Sequence, residues 1–232
     1  MNVFYADPGQ IKDGIIDIEG QEARHISKVL RYDIGQQISV VDGIGNLHSG
    51  AISRAGKDSV QAHIESTIAT PKPRPTHLAL GLLKNRDRLE FAVEKAVELG
   101  ATAIHLFEAD HGERARFKIE RLQTIMVSAM KQSLRRWLPN LHIHKNFAAV
   151  LEFVSDRELD LIVCHEKQGG FSDEAFRSEH KNGILIGIGP EGGFSDAEIE
   201  LAVEKDAIIA GLGTYRLRAE TAVITALSLV LG

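Results

Sequence analysis

The chain has 232 residues, 44% of them hydrophobic and 25% charged, a net charge of −5 and a single cysteine, Cys164, so an internal disulfide is excluded. It is long enough for one large domain or two smaller ones with a real core. No apolar run reaches the roughly 18 residues of a membrane helix, and the opening MNVFYADPGQ has neither the basic nor the apolar region of a secretory signal; a cytoplasmic protein is expected.

In chain order, the first elements are short alternating runs: GIIDI (14–18), QQISVVDG (36–43), LHSGAIS (47–53) and SVQAHIESTI (59–68). Turn signals such as Asp42–Gly43 and Gly56 separate them, which predicts a small antiparallel barrel or sandwich. One helix is expected among them, over 22–32, with Ile26, Val29 and Leu30 on one face. The segment TPKPRP (70–75) has three prolines in six residues and reads as a stiff extended connector. It separates a first domain, 1–71, from a second, 76–232.

After the connector, strands and helices alternate. Strands are expected at 76–83, 103–109, 141–145, 160–166, 183–189 and 207–213. Helices are expected at 88–100, closed by Gly100, at 119–137, closed by Pro139, at 195–206 and at 221–231. Ser195 with Glu198 three positions on forms a capping box. DLIVCHE and GILIGIG are almost wholly apolar, as strands buried on both faces are. The fold class is therefore α/β, a mostly parallel sheet with helices on both faces.

Charge is unevenly spread. Residues 111–145 carry Arg114, Arg116, Lys118, Arg121, Lys131, Arg135, Arg136 and Lys145 against Glu113 and Glu120. Residues 72–88 carry Lys72, Arg74, Lys84, Arg86 and Arg88 against Asp87. Two basic stretches on an acidic chain suit a polyanion on one face, or simply a solvated helix surface.

GIGPEGGF (187–194) lies between a buried strand and a capped helix, where open α/β sheets bind ligands. It lacks the lysine of a phosphate loop, Glu191 would repel a pyrophosphate, and Pro190 removes an amide donor. A neutral or cationic ligand fits it; so does a tight turn closing a strand against a helix. One strand later, LGTYRLRAETA (212–222) brings Arg216, Arg218 and Glu220. CHEKQGG (164–170) brings His165 and Glu166 at a third strand end. Three strand ends converging on one area are better explained by a pocket than by unrelated turns.

IGPEGGFSDAEIE (188–200) followed by LGTYRLRAETA (212–222) resembles the bacterial small-subunit ribosomal RNA uridine-N3 methyltransferase family, in the SPOUT superfamily of knotted methyltransferases. ARHISKVLR (23–31) is similar to that family's N-terminal RNA-binding motif, and 84–101 and 130–139 to its central helices, so the likeness spans nearly the whole chain. Tyr215, Met130 and Lys131 depart from the family pattern. The resemblance implies a PUA-like β-barrel over 1–71, a trefoil-knotted domain over 76–232, a homodimer, and S-adenosylmethionine held in the knot. The reaction it implies is methylation of uridine N3 in 16S ribosomal RNA of the assembled 30S subunit, at uridine 1498 of the decoding region.

On this resemblance, the ligand contacts are His165, Glu166, Ile188, Gly189, Pro190, Glu191, Gly192, Gly193, Leu212, Gly213, Tyr215, Arg216, Leu217 and Thr221. Arg218 is expected to steady the charge growing on uracil O2 or O4, because arginine stays charged and donates directionally. Arg216 holds a phosphate or the ligand's carboxylate; Glu220 orients Arg218, relays a proton or forms a structural pair. RNA contacts are expected from Arg24, His25, Lys28 and Arg31, from Lys84, Arg86 and Arg88, and from Arg135 and Arg136, with Arg114 and Arg116 in a loop that could order on RNA. Trp137 is expected as core before base-stacking platform, and Cys164 as a small buried hydrophobe. The ten histidines show no metal-ligand spacing, so no metal is expected. Alternative readings are a methyltransferase for another RNA site, a non-catalytic RNA-binding ribosome-assembly factor, and a dehydrogenase.

Overall fold

The computed structural model describes residues 2–113, 116–168 and 170–231. Two compact units emerge, Met1–Lys72 with Met130–Leu138, and Pro73–Ala129 with Pro139–Gly232.

The first unit is built on β1 (Val3–Tyr5), β2 (Ile11–Lys12), β3 (Ile15–Glu19), α1 (Gly20–Arg24), β4 (Gln37–Val41), β5 (Asn46–Ala55) and β6 (Ser59–Ala69). The strands form one sheet in the order β1-β4-β5-β6-β3-β2, parallel at β1–β4 and antiparallel elsewhere. Alternation along β3 and β4 turns Ile16, Ile18, Ile38 and Val40 to a core shared with Phe4, Ile26, Ile52 and Val60. The helix expected over 22–32 is only partly α-helical. α1 gives way at His25–Val29 to a wider turn in which the Leu30 amide donates to the His25 carbonyl five residues back (3.0 Å). That extra residue per turn swings Val29 outward to 69% exposure, while Ile26 stays buried.

Residues 130–138, expected with the second domain, group with this first unit. Trp137 is the reason legible in the side chains: its indole N–H donates to the carbonyls of Thr70 and Pro71 (both 3.1 Å). Its ring lies where a Cβ on Gly45 would stand (2.6 Å). Gly45 also has φ +107°, so two independent constraints call for glycine there.

The second unit contains β7 (Thr76–Gly81), α2 (Arg86–Glu98), β8 (Ala103–Phe107), α3 (Ile119–Gln132), β9 (Asn140–His144), α4 (Phe147–Val154), β10 (Asp160–Cys164), β11 (Gly170–Phe171), α5 (Asp173–Arg177), β12 (Ile184–Ile188), α6 (Asp196–Val203), β13 (Ile208–Ala210), β14 (Leu212–Gly213) and α7 (Ala219–Leu231). Six strands form a wholly parallel sheet in the order β13-β10-β12-β7-β8-β9. Every residue of β7, β8 and β12 is buried, as both-face coverage requires. One face, with Ala79, Phe107, Val163 and Leu185, packs on α4 and α6 through Phe147, Val150, Leu151 and Ala202. α2 and α7 pack on each other, and α7 on β12.

Two departures from expectation have local causes. α3 stops at Gln132 because Leu134 turns left-handed (φ +58°), well before Pro139. The single strand expected over 207–213 splits at Gly211 into β13, in the main sheet, and β14, which pairs antiparallel with β11. Among the described residues, four histidines line up across β7, β8 and β9. His105 stacks on His142 (4.9 Å between ring centres) and exchanges hydrogen bonds with His77 (3.1 Å) and His144 (3.0 Å). No group of three or more His, Cys, Asp or Glu among the described residues has the geometry of a metal site.

Candidate active site

β13, β10 and β12 are neighbours in the sheet and parallel, so their carboxyl ends open side by side. The loops leaving them enclose a cavity of about 650 Å³, within the size range of small-molecule sites.

The first wall follows β12. Gly193 has φ +75°, and its amide donates to the Pro190 carbonyl (3.0 Å), closing a tight turn. A Cβ on Gly189 would stand 2.9 Å from the Gly193 backbone. Ile188, Gly189, Pro190, Glu191, Gly193 and Phe194 face the cavity. Gly192 does not; its α-carbon packs on His111. Behind the turn, Ser195 caps α6 reciprocally with Glu198 and donates to Asp110 (2.7 Å), fixing where α6 begins.

The second wall follows β10 and holds Cys164, His165, Glu166 and Lys167. Burial pushes the Cys164 thiol up to about 12, so it stays protonated and is no nucleophile. The Lys167 ammonium is paired with Asp196 (2.9 Å), which raises its own pKa and lowers that of Asp196. The third wall follows β13: Gly211, Leu212, Gly213, Thr214, Tyr215, Arg216, Leu217, Arg218, Ala219 and Ala222. Backbone contact forces glycine at 211, where a Cβ would meet the Gly170 and Gln168 carbonyls at 2.5 and 2.8 Å.

Arg216 ties the three walls together. Its Nε contacts a Glu166 carboxylate oxygen (2.7 Å), and an Nη donates to the Glu191 carbonyl (3.1 Å). Arg218 is exposed, and its guanidinium makes no hydrogen bond or ion pair with the described residues. Glu220 does not line the cavity and does not hold Arg218. It pairs with Arg88 of α2 (3.6 Å), and Arg88 does reach the cavity. Thr221 is exposed on α7, outside the lining. Sequence reasoning missed Cys164, Lys167, Phe194, Gly211, Thr214, Ala219 and Ala222 as wall residues, and Arg88 in this position. Their closeness to the glycine motifs could have suggested all but Arg88.

The expected RNA contacts fall in both units. In the first, Arg24, His25, Lys28 and Arg31 are exposed on α1 and the turn after it, Arg24 paired with Asp58 (2.6 Å). Arg136 is engaged with the Ile68 carbonyl and the Thr70 hydroxyl (both 3.0 Å), and Arg135 is held in a setting whose burial lowers its pKa. In the second unit, Lys84 and Arg86 line a shallow hollow of about 450 Å³ with Asn85, Asp87 and Arg116. Lys84 pairs with Glu113 (2.6 Å) and Arg86 with Glu90 (3.4 Å). The Lys84–Glu113 pair is exposed on both sides and screened by water, so an incoming phosphate can replace the acid. Arg114 lies outside the described residues.

The chain matches two family models, an RNA methyltransferase domain over residues 70–231 and an RNA methyltransferase PUA domain over residues 18–65. It is 32% identical over 226 residues to the ribosomal RNA small subunit methyltransferase E of Bacillus subtilis (strain 168), covering 92% of this chain and 88% of that protein. The crystal structure of a probable rRNA-methyltransferase from Porphyromonas gingivalis is similar at a TM-score of 0.85 and 30% identity, covering 99% of this chain and 97% of that one. That of a ribosomal RNA small subunit methyltransferase E from Neisseria gonorrhoeae, bound to S-adenosyl methionine, gives a TM-score of 0.81 at 27% identity, covering 98% and 95%.

Proposed function

We infer the activity from one premise: the chain belongs to the RNA methyltransferase family. It is an RNA methyltransferase that uses S-adenosylmethionine. We propose that its substrate is 16S ribosomal RNA in the assembled 30S subunit and its product 3-methyluridine, at the family's uridine 1498. The observation that carries this reading is the cavity where three adjacent strand ends meet, with glycine walls and a free guanidinium, Arg218, at its rim.

The residues present fit the cofactor. Ile188, Leu212 and Leu217 give apolar surface for an adenine, and backbone groups at the glycines can read its edge. Glu166 and Glu191 place two carboxylates on a wall that also carries four cations, so a ligand bearing both a sulfonium and a carboxylate finds partners of each sign. When bound, S-adenosylmethionine supplies a methyl group on a sulfonium, whose carbon–sulfur electron pair returns to sulfur on transfer.

The chain's own work is orientation and charge. Uracil N3–H is a weak acid, and Arg218 donates to O2 or O4 as negative charge grows there. Arg216, with its fork taken by Glu166 and the Glu191 carbonyl, keeps the walls in register rather than holding a phosphate or a carboxylate. Good orientation is worth several kcal/mol of the barrier.

The same reading includes a PUA-like barrel, a trefoil knot, a homodimer and a cytoplasmic location where ribosomal subunits are found. Supporting the knot, β12 is inserted between β10 and β7 although it follows β10 in the chain, and the glycines at 81, 189 and 211 sit where backbone segments nearly touch. The test is methyl transfer from labelled S-adenosylmethionine to small subunits lacking the modification, with naked RNA alongside and mass-spectrometric location of the label. One 3-methyluridine in subunits is expected; label on another nucleotide, or none despite cofactor binding, refutes the assignment.

A further inference from the structure

We propose that Arg88 is the second cation of the reaction centre, donating to one carbonyl oxygen of the target uracil while Arg218 donates to the other. This rests on the uridine-N3 reading above. It gives Arg88 a role in the chemistry that a general affinity for RNA does not contain.

Elimination among the cavity's cations leads there. The wall carries Arg88, Lys167, Arg216 and Arg218. Lys167 is committed to Asp196, and Arg216 to Glu166 and the Glu191 carbonyl. The Arg218 guanidinium has no partner among the described residues. Arg88 has a single side-chain partner among the described residues, Glu220, whose carboxylate stands 3.6 Å from its Nε, so its guanidinium keeps donors to offer. Its backbone is fixed as well, because Asn85 caps α2 by accepting from the Asp87 and Arg88 amides (2.9 and 3.2 Å).

The burial suits the task. The Arg88 side chain is 33% exposed and Glu220 13%, against 65% for Arg216. A guanidinium anchored by one carboxylate and partly withdrawn from water presents its remaining donors in a fixed direction and is less screened than a surface arginine.

The chemistry calls for two such donors. N3 of uracil lies between the C2 and C4 carbonyls, so the charge left when N3 loses its proton spreads onto both oxygens. One guanidinium on each stabilises the anion from both sides and eases loss of the N3 proton. The N3 proton leaves to water at the open rim, and the electron pair left on N3 forms the new bond to the methyl carbon as the carbon–sulfur pair returns to sulfur. Neither arginine gains or loses a proton. Glu220 acts through Arg88 and is a positioning residue.

The test compares wild type, Arg88→Gln, Arg88→Lys and Glu220→Gln on saturating unmodified small subunits, from neutral pH to about pH 9, where N3 ionises more readily by itself. Thermal unfolding and calorimetric binding of S-adenosylmethionine accompany the rates. Arg88→Gln is expected to lose about 10²-fold in rate at neutral pH, the magnitude of one lost oxyanion donor. The deficit should shrink as pH rises, with cofactor affinity within about threefold of wild type. Arg88→Lys should recover part of the rate, and Glu220→Gln should fall between it and wild type. A deficit equal at every pH, or one confined to affinity for subunits as a phosphate contact gives, overturns the proposal. Wild-type protein that forms no 3-methyluridine overturns both this inference and the reading beneath it.

Discussion

Acid should destabilise the second unit through its histidine row. His105 is fully buried and His77 nearly so, and burial, with the Arg157 charge and neighbouring histidines as smaller causes, pushes their pKa values from 6.5 down to about 2 and about 4. Their folded-state values are depressed, so the unfolded chain binds protons that the folded chain refuses. Stability is therefore complete above the unfolded value of 6.5 and falls as pH drops below it, toward about 4 for His77 and about 2 for His105. At about pH 5 each imidazole costs about 2 kcal/mol, so the pair removes about 4 kcal/mol of a typical 5–15 kcal/mol. His142 and His144 are lowered too and act in the same direction. The assay is urea unfolding at a series of pH values on wild type and His105→Phe. The variant should be weaker at pH 7, because His77 and His144 each lose a hydrogen-bond partner, at about 1–3 kcal/mol. Its loss between neutral pH and about pH 5 should be smaller than wild type's by about 2 kcal/mol. An identical pH dependence in both proteins would refute the argument that buried neutral imidazoles set it.

Other outcomes follow from the cavity walls. Arg216→Ala should weaken S-adenosylmethionine binding in calorimetry while changing thermal stability by about 1 kcal/mol or less, since its pair with Glu166 is exposed (65% and 49%). Gly211→Ala should cost about 1–3 kcal/mol in denaturant unfolding, because the added methyl meets carbonyl oxygens that belong to backbone and cannot rotate away. Native protein treated with iodoacetamide near neutral pH should show no Cys164 adduct by mass spectrometry, and denatured protein should show one, since burial holds the thiol at about 12.

What was legible in the sequence was local. The apolar runs at 76–83 and 183–189 are interior strands because a strand covered on both faces must be apolar at every position. The capping box at Ser195 and Glu198 marks the start of α6 because a helix needs its first amides satisfied. The glycine loops are readable because backbone crossings exclude a Cβ. Signals that depend on fewer residues were missed: α4, with no cap recognised at Asn146, and the wide turn at His25–Val29, which differs from an α-helix by one residue.

Tertiary structure decided the rest. Nothing in the order of the chain says that β12 enters between β10 and β7, that Trp137 seals Gly45, or that Glu220 holds Arg88 instead of Arg218. Periodicity and caps are fixed by forces acting over a few bonds. Strand order and the pairing of charges far apart in sequence are fixed by which surfaces bury one another, and that is settled only when the whole chain packs.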